Sequence, residues 1–174
     1  MPKDFPIEKL IRDVPDFPKP GILFKDITPL LQSPEGLAAT IALLDRAVPA
    51  SNYDVVCGIE SRGFIFGSAL ALKAGKGFVP IRKPGKLPYK TAKESYELEY
   101  GRDSVEIHID ALSAGQRVLI VDDLLATGGT MAAAAKLVKS VGGQPVAALV
   151  VIELEFLKGR ARLGSMPVHS LIRY

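Results

Sequence analysis

Two adjacent carboxylates, Asp122 and Asp123, close the apolar run VLIV at 118–121, and Ala126, Thr127, Gly128, Gly129 and Thr130 follow before a helical pattern starts at Met131. Glycines let backbone N–H groups converge, and a helix N-terminus adds positive potential, so this turn suits a phosphate dianion. Asp122 and Asp123 cannot share that anion, because like charges repel. They can accept hydrogen bonds from sugar hydroxyls or help to hold a divalent cation. A phosphate nest beside hydroxyl acceptors describes a ribose 5-phosphate. A structural acidic turn is the competing reading, whereas a P-loop is excluded because no stretch matches G-x-x-x-x-G-K-[ST].

Other candidates are scattered along the chain. Glu60, Ser61 and Arg62 follow the apolar run VVCGI at 55–59 and precede a helical pattern. Such a turn presents backbone amides, and the Arg62 guanidinium is a fork suited to phosphate oxygens; the ordinary alternative is a surface salt bridge. Arg82, Lys83 and Lys86 cluster around prolines and glycines, which by itself reads most simply as a solvated loop. Glu99 and Tyr100 lie in an alternating stretch, where alternation alone leaves Glu99 solvated. Phe24, between Leu23 and Lys25, is most simply a core aromatic. His108 and His169 have no partners at ligand spacing, so no metal site is expected on the protein alone. No Ser–His–Asp or Cys–His arrangement suggests a covalent intermediate.

Apolar runs at 55–59, 78–81, 118–121 and 146–152 alternate with helical patterns at 64–74 and 131–141. Runs apolar at every position suit strands buried on both faces, and intervening helices imply a parallel sheet with crossovers, hence an α/β layered fold. Gly142-Gly143 stops the second helix. An amphipathic stretch at 7–14, the proline-rich DFPKPGILF at 16–24 and a helix over about 35–48, capped by Ser33-Pro34, precede this core. Residues 83–95 read as a mobile polar loop, followed by a hairpin turning around 101–104.

The chain has 174 residues and a net charge of +3, enough for one globular domain and too weakly basic to argue for nucleic acid. Its single cysteine, Cys57, sits in an apolar run and cannot form an internal disulfide, which fits a reducing compartment. The N-terminal MPKDFPIEKL lacks an apolar signal core and the longest apolar run is far short of a membrane span, so a cytoplasmic protein without membrane contact is expected.

VLIVDDLLATGGT at 118–130 resembles the phosphoribosyl pyrophosphate motif of the type I phosphoribosyltransferase family. DFPKPGILFKDITPLL at 16–31, GIESRGFIFG at 58–67, IRKPGKLP at 81–88 and YELEYG at 96–101 are similar, in the same order, to its adenine-specific branch. The resemblance implies one domain over 1–174: a central, mainly parallel, twisted sheet flanked by helices, with a small N-terminal hood over 1–34 and a flexible catalytic loop over 83–100. It implies transfer of phosphoribose from phosphoribosyl pyrophosphate to adenine, giving AMP and pyrophosphate, with Mg²⁺ carried mainly by the substrate, in a homodimer. It further implies that Ala126 to Thr130 grip the 5′-phosphate, that Asp122 and Asp123 hold the ribose, and that Glu60, Ser61, Arg62, Arg82, Lys83 and Lys86 serve the pyrophosphate. Leu23, Phe24, Lys25 and Leu154 would line adenine, and Glu99, with Tyr100, would come over the reaction centre. A transferase for another purine or for orotate, and a non-catalytic sensor of phosphoribosyl pyrophosphate, remain as alternatives; the sensor would need an effector module, and no helix-turn-helix or basic helix is evident.

Overall fold

The structure is a computed structural model that describes residues 5–98 and 101–174. The chain divides into two compact units, Met1–Leu43 and Leu44–Tyr174.

In the first unit a 3-10 turn, Ile7–Leu10, leads to the antiparallel pair β1 (Arg12–Pro15) and β2 (Leu23–Asp26), then to the short helix α1 (Thr28–Gln32). Helix α2 (Pro34–Ala47) starts in this unit, as the Ser33-Pro34 signal predicts. The Ser33 hydroxyl accepts the Gly36 N–H at 2.9 Å, which satisfies one of the amides that a helix N-terminus leaves unpaired.

The second unit is a layered α/β domain. Its strands are β3 (Val55–Ile59), β4 (Gly77–Ile81), β7 (Arg117–Leu125), β8 (Gln144–Glu153) and β9 (Val168–Arg173), preceded in the case of β7 by a hairpin of β5 (Thr91–Leu98) and β6 (Gly101–His108). The sheet runs β4-β3-β7-β8-β9 with every neighbouring pair parallel. Helix α3 (Gly63–Ala74) connects β3 to β4, and α4 (Gly129–Ser140) connects β7 to β8. Strand β3 is buried at every residue and β7 over most of its length, because helices cover both faces of a parallel sheet. Val55, Cys57, Val118, Ile120, Ala148 and Val150 form one apolar cluster with Ala134, Leu137 and Val138 of α4. Each valine, leucine or isoleucine among them contributes roughly 1.5–3 kcal/mol when fully removed from water.

Several expectations are corrected. The loop read over 83–95 ends at Lys90, since β5 begins at Thr91. Its inward residues Ala92, Glu94 and Tyr96 include a carboxylate that pairs with Lys136 of α4 at 3.4 Å, so composition disguised a strand that is held by its register with β6. The hairpin does not turn at 101–104, because these residues already belong to β6 and Leu98 faces Gly101. The run FVPI forms β4, but as an edge strand it is only half-buried. Strand β9, which carries His169, had no signal strong enough to be read, being polar at several positions and reached through 3-10 turns at Glu155–Leu157 and Gly159–Leu163 instead of a helix. Among the described residues no helix is long and apolar enough to cross a membrane.

Replacing Ser33 by Ala should lower the unfolding free energy by about 1 kcal/mol. Denaturant unfolding of the two proteins checks this, and equal midpoints would remove Ser33 as the cap of α2.

Candidate active site

The strand order places a cleft by topology alone. From β3 the chain moves outward to β4, then returns to β7 on the other side of β3 and proceeds to β8 and β9. Loops leaving the carboxyl ends of β3 and β7 therefore diverge, and ligands of open parallel sheets bind at such a switch point. A cavity of about 360 Å³ lies there, lined by Glu60, Ser61 and Arg62 after β3, by Lys83, and by residues 122–131 from the end of β7 into α4.

On one side of the cavity α4 begins. Gly128 sits at its N-cap with φ of +80°, and no side chain caps the helix. Its first N–H groups are thus left for an anion, with the helix dipole behind them. The left-handed backbone at Gly128 favours glycine, and a Cβ there would overlap the carbonyl oxygen of Gly159.

Across the cavity stand the carboxylates. The Asp123 N–H donates to Asp122 Oδ1 at 2.8 Å, and Arg62 Nε lies 3.0 Å from Asp123 Oδ2. That ion pair is not aligned as a hydrogen bond, so Asp123 Oδ2 is buried with charge compensation but no hydrogen-bond donor among the described residues. Burial, followed by repulsion from Asp123, raises the Asp122 carboxyl well above the ordinary 3.8, although its edge still reaches solvent in the cleft. Burial also raises Asp123, and Arg62 opposes the rise.

The remaining cations are braced by acids. Glu60 accepts the Lys83 main-chain N–H at 2.9 Å and Arg82 Nε at 3.1 Å. Burial works against its charge, but these two donors outweigh it and hold the carboxyl below its usual range. Arg82 also donates to the Lys86 carbonyl at 3.0 Å and does not line the cavity, and the Lys86 side chain is exposed. Lys83 does line the cavity. Its ammonium bonds the Asp103 carboxylate and lies 3.1 Å from the Tyr96 hydroxyl. Burial alone would lower the Lys83 value, yet these partners raise it.

Tyr96 and Asp103 were missed by the sequence reading. The register pairs them directly across the hairpin, so correct placement of the turn would have found them. Leu124, Leu125 and Met131 also line the cavity without any polar signal to mark them. The residues expected at the base belong to different units: Leu23, Phe24 and Lys25 form β2, whereas Leu154 follows β8. Leu23 is half exposed, Phe24 stacks edge-on to Phe17, and Lys25 donates to Asp13 at 2.7 Å. The Leu154 N–H donates to the Leu125 carbonyl at 2.9 Å. Glu99 and Tyr100 lie outside the described residues. Among the described residues no set of three or more His, Cys, Asp or Glu side chains could hold a metal ion.

The phosphoribosyl transferase domain family matches residues 26–163. An adenine phosphoribosyltransferase of Acidobacterium capsulatum is 54% identical over 97% of this chain and 93% of its own length. The chain belongs to the adenine phosphoribosyltransferase family. Its fold is the type I phosphoribosyltransferase fold, as in the crystal structure of the Thermoanaerobacter pseudethanolicus member, which superposes with a TM-score of 0.94 at 52% identity, covering 97% of this chain and 98% of that one. The Saccharomyces cerevisiae member, in complex with D-2,5-dideoxy-2,5-imino-altritol 1,6-bisphosphate and adenine, superposes at 0.89 with 44% identity, over 95% and 96% of the two chains.

The charge pair at the end of β7 has a consequence for stability. A carboxyl whose folded value is raised favours its protonated form in the fold, so ionising Asp122 costs stability as pH rises above the ordinary 3.8. Asp122→Asn keeps the acceptor for the Asp123 N–H and removes that cost. It should melt above the native protein near neutral pH, with the advantage shrinking as pH falls toward 3.8. Thermal melts across that range decide it; a gain that does not vary with pH would remove the charge as its cause.

Proposed function

We propose that this chain transfers the 5-phosphoribosyl group of phosphoribosyl pyrophosphate to N9 of adenine in the cleft between the ends of β3 and β7, releasing AMP and pyrophosphate. The observation that carries the reading is one cavity holding an uncapped helix N-terminus on one side and the Asp122–Asp123 pair on another. A phosphate and the hydroxyls of one sugar ring meet those two surfaces at once. The yeast relative's complex, a bisphosphate together with adenine, supports the pairing of ligands.

In this reading Ala126, Thr127, Gly128, Gly129 and Thr130 grip the 5′-phosphate, and Asp122 with Asp123 accepts hydrogen bonds from the ribose hydroxyls. Glu60, Ser61, Arg62, Arg82, Lys83 and Lys86 serve the pyrophosphate, with Arg82 acting through Glu60. As the bond from the ribose C1 to the pyrophosphate oxygen lengthens, negative charge grows on the leaving group, and Arg62 and Lys83 stabilise it. Positive charge grows on the ring, where the N9–C1 bond then forms; Glu99 stabilises that charge or takes the purine proton. Leu23, Phe24, Lys25 and Leu154 contact the base. Residues 83–100, which include the loop to Lys90 and strand β5, act as the catalytic segment, whose closure excludes the water that would otherwise capture the ribosyl centre.

The donor set fits Mg²⁺ brought in with the substrate. Asp122 and Asp123 offer two carboxylates, one with an oxygen lacking a hydrogen-bond donor, and no third acidic side chain completes a cage among the described residues. Mg²⁺ tolerates this because it keeps water and phosphate oxygens in its shell, and when bound it neutralises diphosphate charge. We also read the chain as a single phosphoribosyltransferase domain, with residues 1–34 as its N-terminal region, working in the cytoplasm as a homodimer in purine salvage.

Incubation with adenine, phosphoribosyl pyrophosphate and Mg²⁺ should produce AMP. Use of hypoxanthine, guanine or orotate in its place would overturn the adenine assignment, and binding without turnover would favour a sensor. Replacing Asp122 and Asp123 together by Ala should cut turnover by at least about a hundredfold while the protein stays folded. Unchanged turnover would remove the ribose role.

A further inference from the structure

We propose that Arg160, anchored on Glu153, is a positioning residue for the phosphate loop, holding the backbone of Gly159 against residues 126–129. The inference rests on the assignment of that loop to the 5′-phosphate.

A loop dominated by glycine and a left-handed turn has few side chains of its own to fix where its N–H groups point. Its support must come from whatever packs behind it. Here that is Gly159, a buried residue whose Cβ, if present, would overlap the Ala126 carbonyl oxygen and lie 3.1 Å from the Gly128 nitrogen. In return, a Cβ on Gly128 would overlap the Gly159 carbonyl oxygen. The two backbones touch directly, with no side chain to absorb a shift.

The adjacent residue fixes Gly159 in space. Arg160 grips the buried carboxylate of Glu153 with both sides of its fork: Nε meets Oε1, and the terminal nitrogen reaches Oε2 at 2.6 Å. Its other nitrogen donates to the Val168 carbonyl at 2.8 Å. Ser170 completes the arrangement by donating to Glu153 Oε2 at 2.7 Å. The hydrogen bonds from Arg160 hold the Glu153 carboxyl below its usual range. Glu153 ends β8 and Val168 and Ser170 belong to β9, so the 3-10 segment Gly159–Leu163 is bolted to the rigid sheet. From the same segment, Arg162 approaches to 3.7 Å of where a Cβ on Gly129 would stand. Loss of the bolt frees Gly159 to move, and the amides of the loop move with it. The phosphate end of the donor feels this and the base does not.

The test measures ribose 5-phosphate binding by calorimetry, with steady-state kinetics, for Arg160→Gln, Arg160→Lys and Ser170→Ala. Arg160→Gln should weaken ribose 5-phosphate and raise KM for phosphoribosyl pyrophosphate by about tenfold, with kcat and KM for adenine within about twofold of native. Arg160→Lys keeps the charge but not the fork, so it should fall between. Ser170→Ala leaves the ion pair in place and gives a milder loss in the same direction, which serves if Arg160→Gln does not fold. A folded variant that binds ribose 5-phosphate as the native protein does, or one that loses adenine and donor equally, overturns the positioning role alone. Native protein that fails to bind ribose 5-phosphate overturns both this role and the assignment of the loop.

Discussion

Asp122 and Asp123 repel each other near the carboxyl end of β7, the central strand of the sheet, and the surrounding structure is organised by how that repulsion is contained. Desolvation makes each charge costly, and proximity makes the pair costlier. Arg62 compensates one of them from the neighbouring loop, and the Asp123 amide supports the other. Neither contact completes the hydrogen bonding, since Asp123 Oδ2 has no donor among the described residues. A buried acceptor left in this state is stabilised by a ligand that brings donors or positive charge. The positive end of α4 meanwhile demands the opposite. The cavity is therefore polar in a directional sense, acid at one wall and amide at the other, and it suits a ligand that is itself a polyol at one end and an anion at the other.

That arrangement requires a sheet. Strand β7 can deliver two carboxylates to a fixed place only because β3 and β8 hold it on both edges in parallel register. The order of the strands then makes the loops after β3 and β7 separate, opening space where the charges emerge. Packing and chemistry thus share a cause: the same apolar run that builds the core aims Asp122 at the cleft.

This explains which parts were legible in the sequence. Strands β3, β7 and β8 are built on the uninterrupted apolar runs VVCGI, VLIV and VAALVVI, and helices α2, α3 and α4 have clear limits at Ser33-Pro34, Gly63 and Gly142-Gly143. The turn at 126–130 is legible because a glycine at positive φ and a helix start stand together in sequence. Contacts that close only through the fold are not. Tyr96 and Asp103 meet across a hairpin whose turn was misplaced by a few residues, and a slip in register changes every partner. Glu153 and Arg160 are seven residues apart in an irregular stretch, where no periodicity links them. The residues proposed for the base, in β2 and directly after β8, lie far apart in sequence and share no side-chain pattern.

The cations in and beside the cleft show why pairing within the protein matters before any ligand arrives. Arg62 faces Asp123, Lys83 faces Asp103 and Tyr96, and Arg82 faces Glu60. A ligand anion therefore meets cations already partnered, and it gains by exchange of one acceptor for another. Exchange of this kind gives a single charge little advantage, because what it gains from Lys83 is lost from Asp103. An anion with several oxygens loses less, since it can engage Arg62, Lys83 and the amides of the turn together. Lys83 joins these elements physically, its main chain bonded to Glu60 and its ammonium to the hairpin, while the Tyr96 ring lies 3.3 Å from the Cβ position of Gly129. The hairpin thus meets the turn at 126–130 through Tyr96 and is tied to Glu60 through Lys83. Under the proposed roles, moving Lys83 from Asp103 to a diphosphate would alter what the hairpin rests on and so couple donor binding to the hairpin.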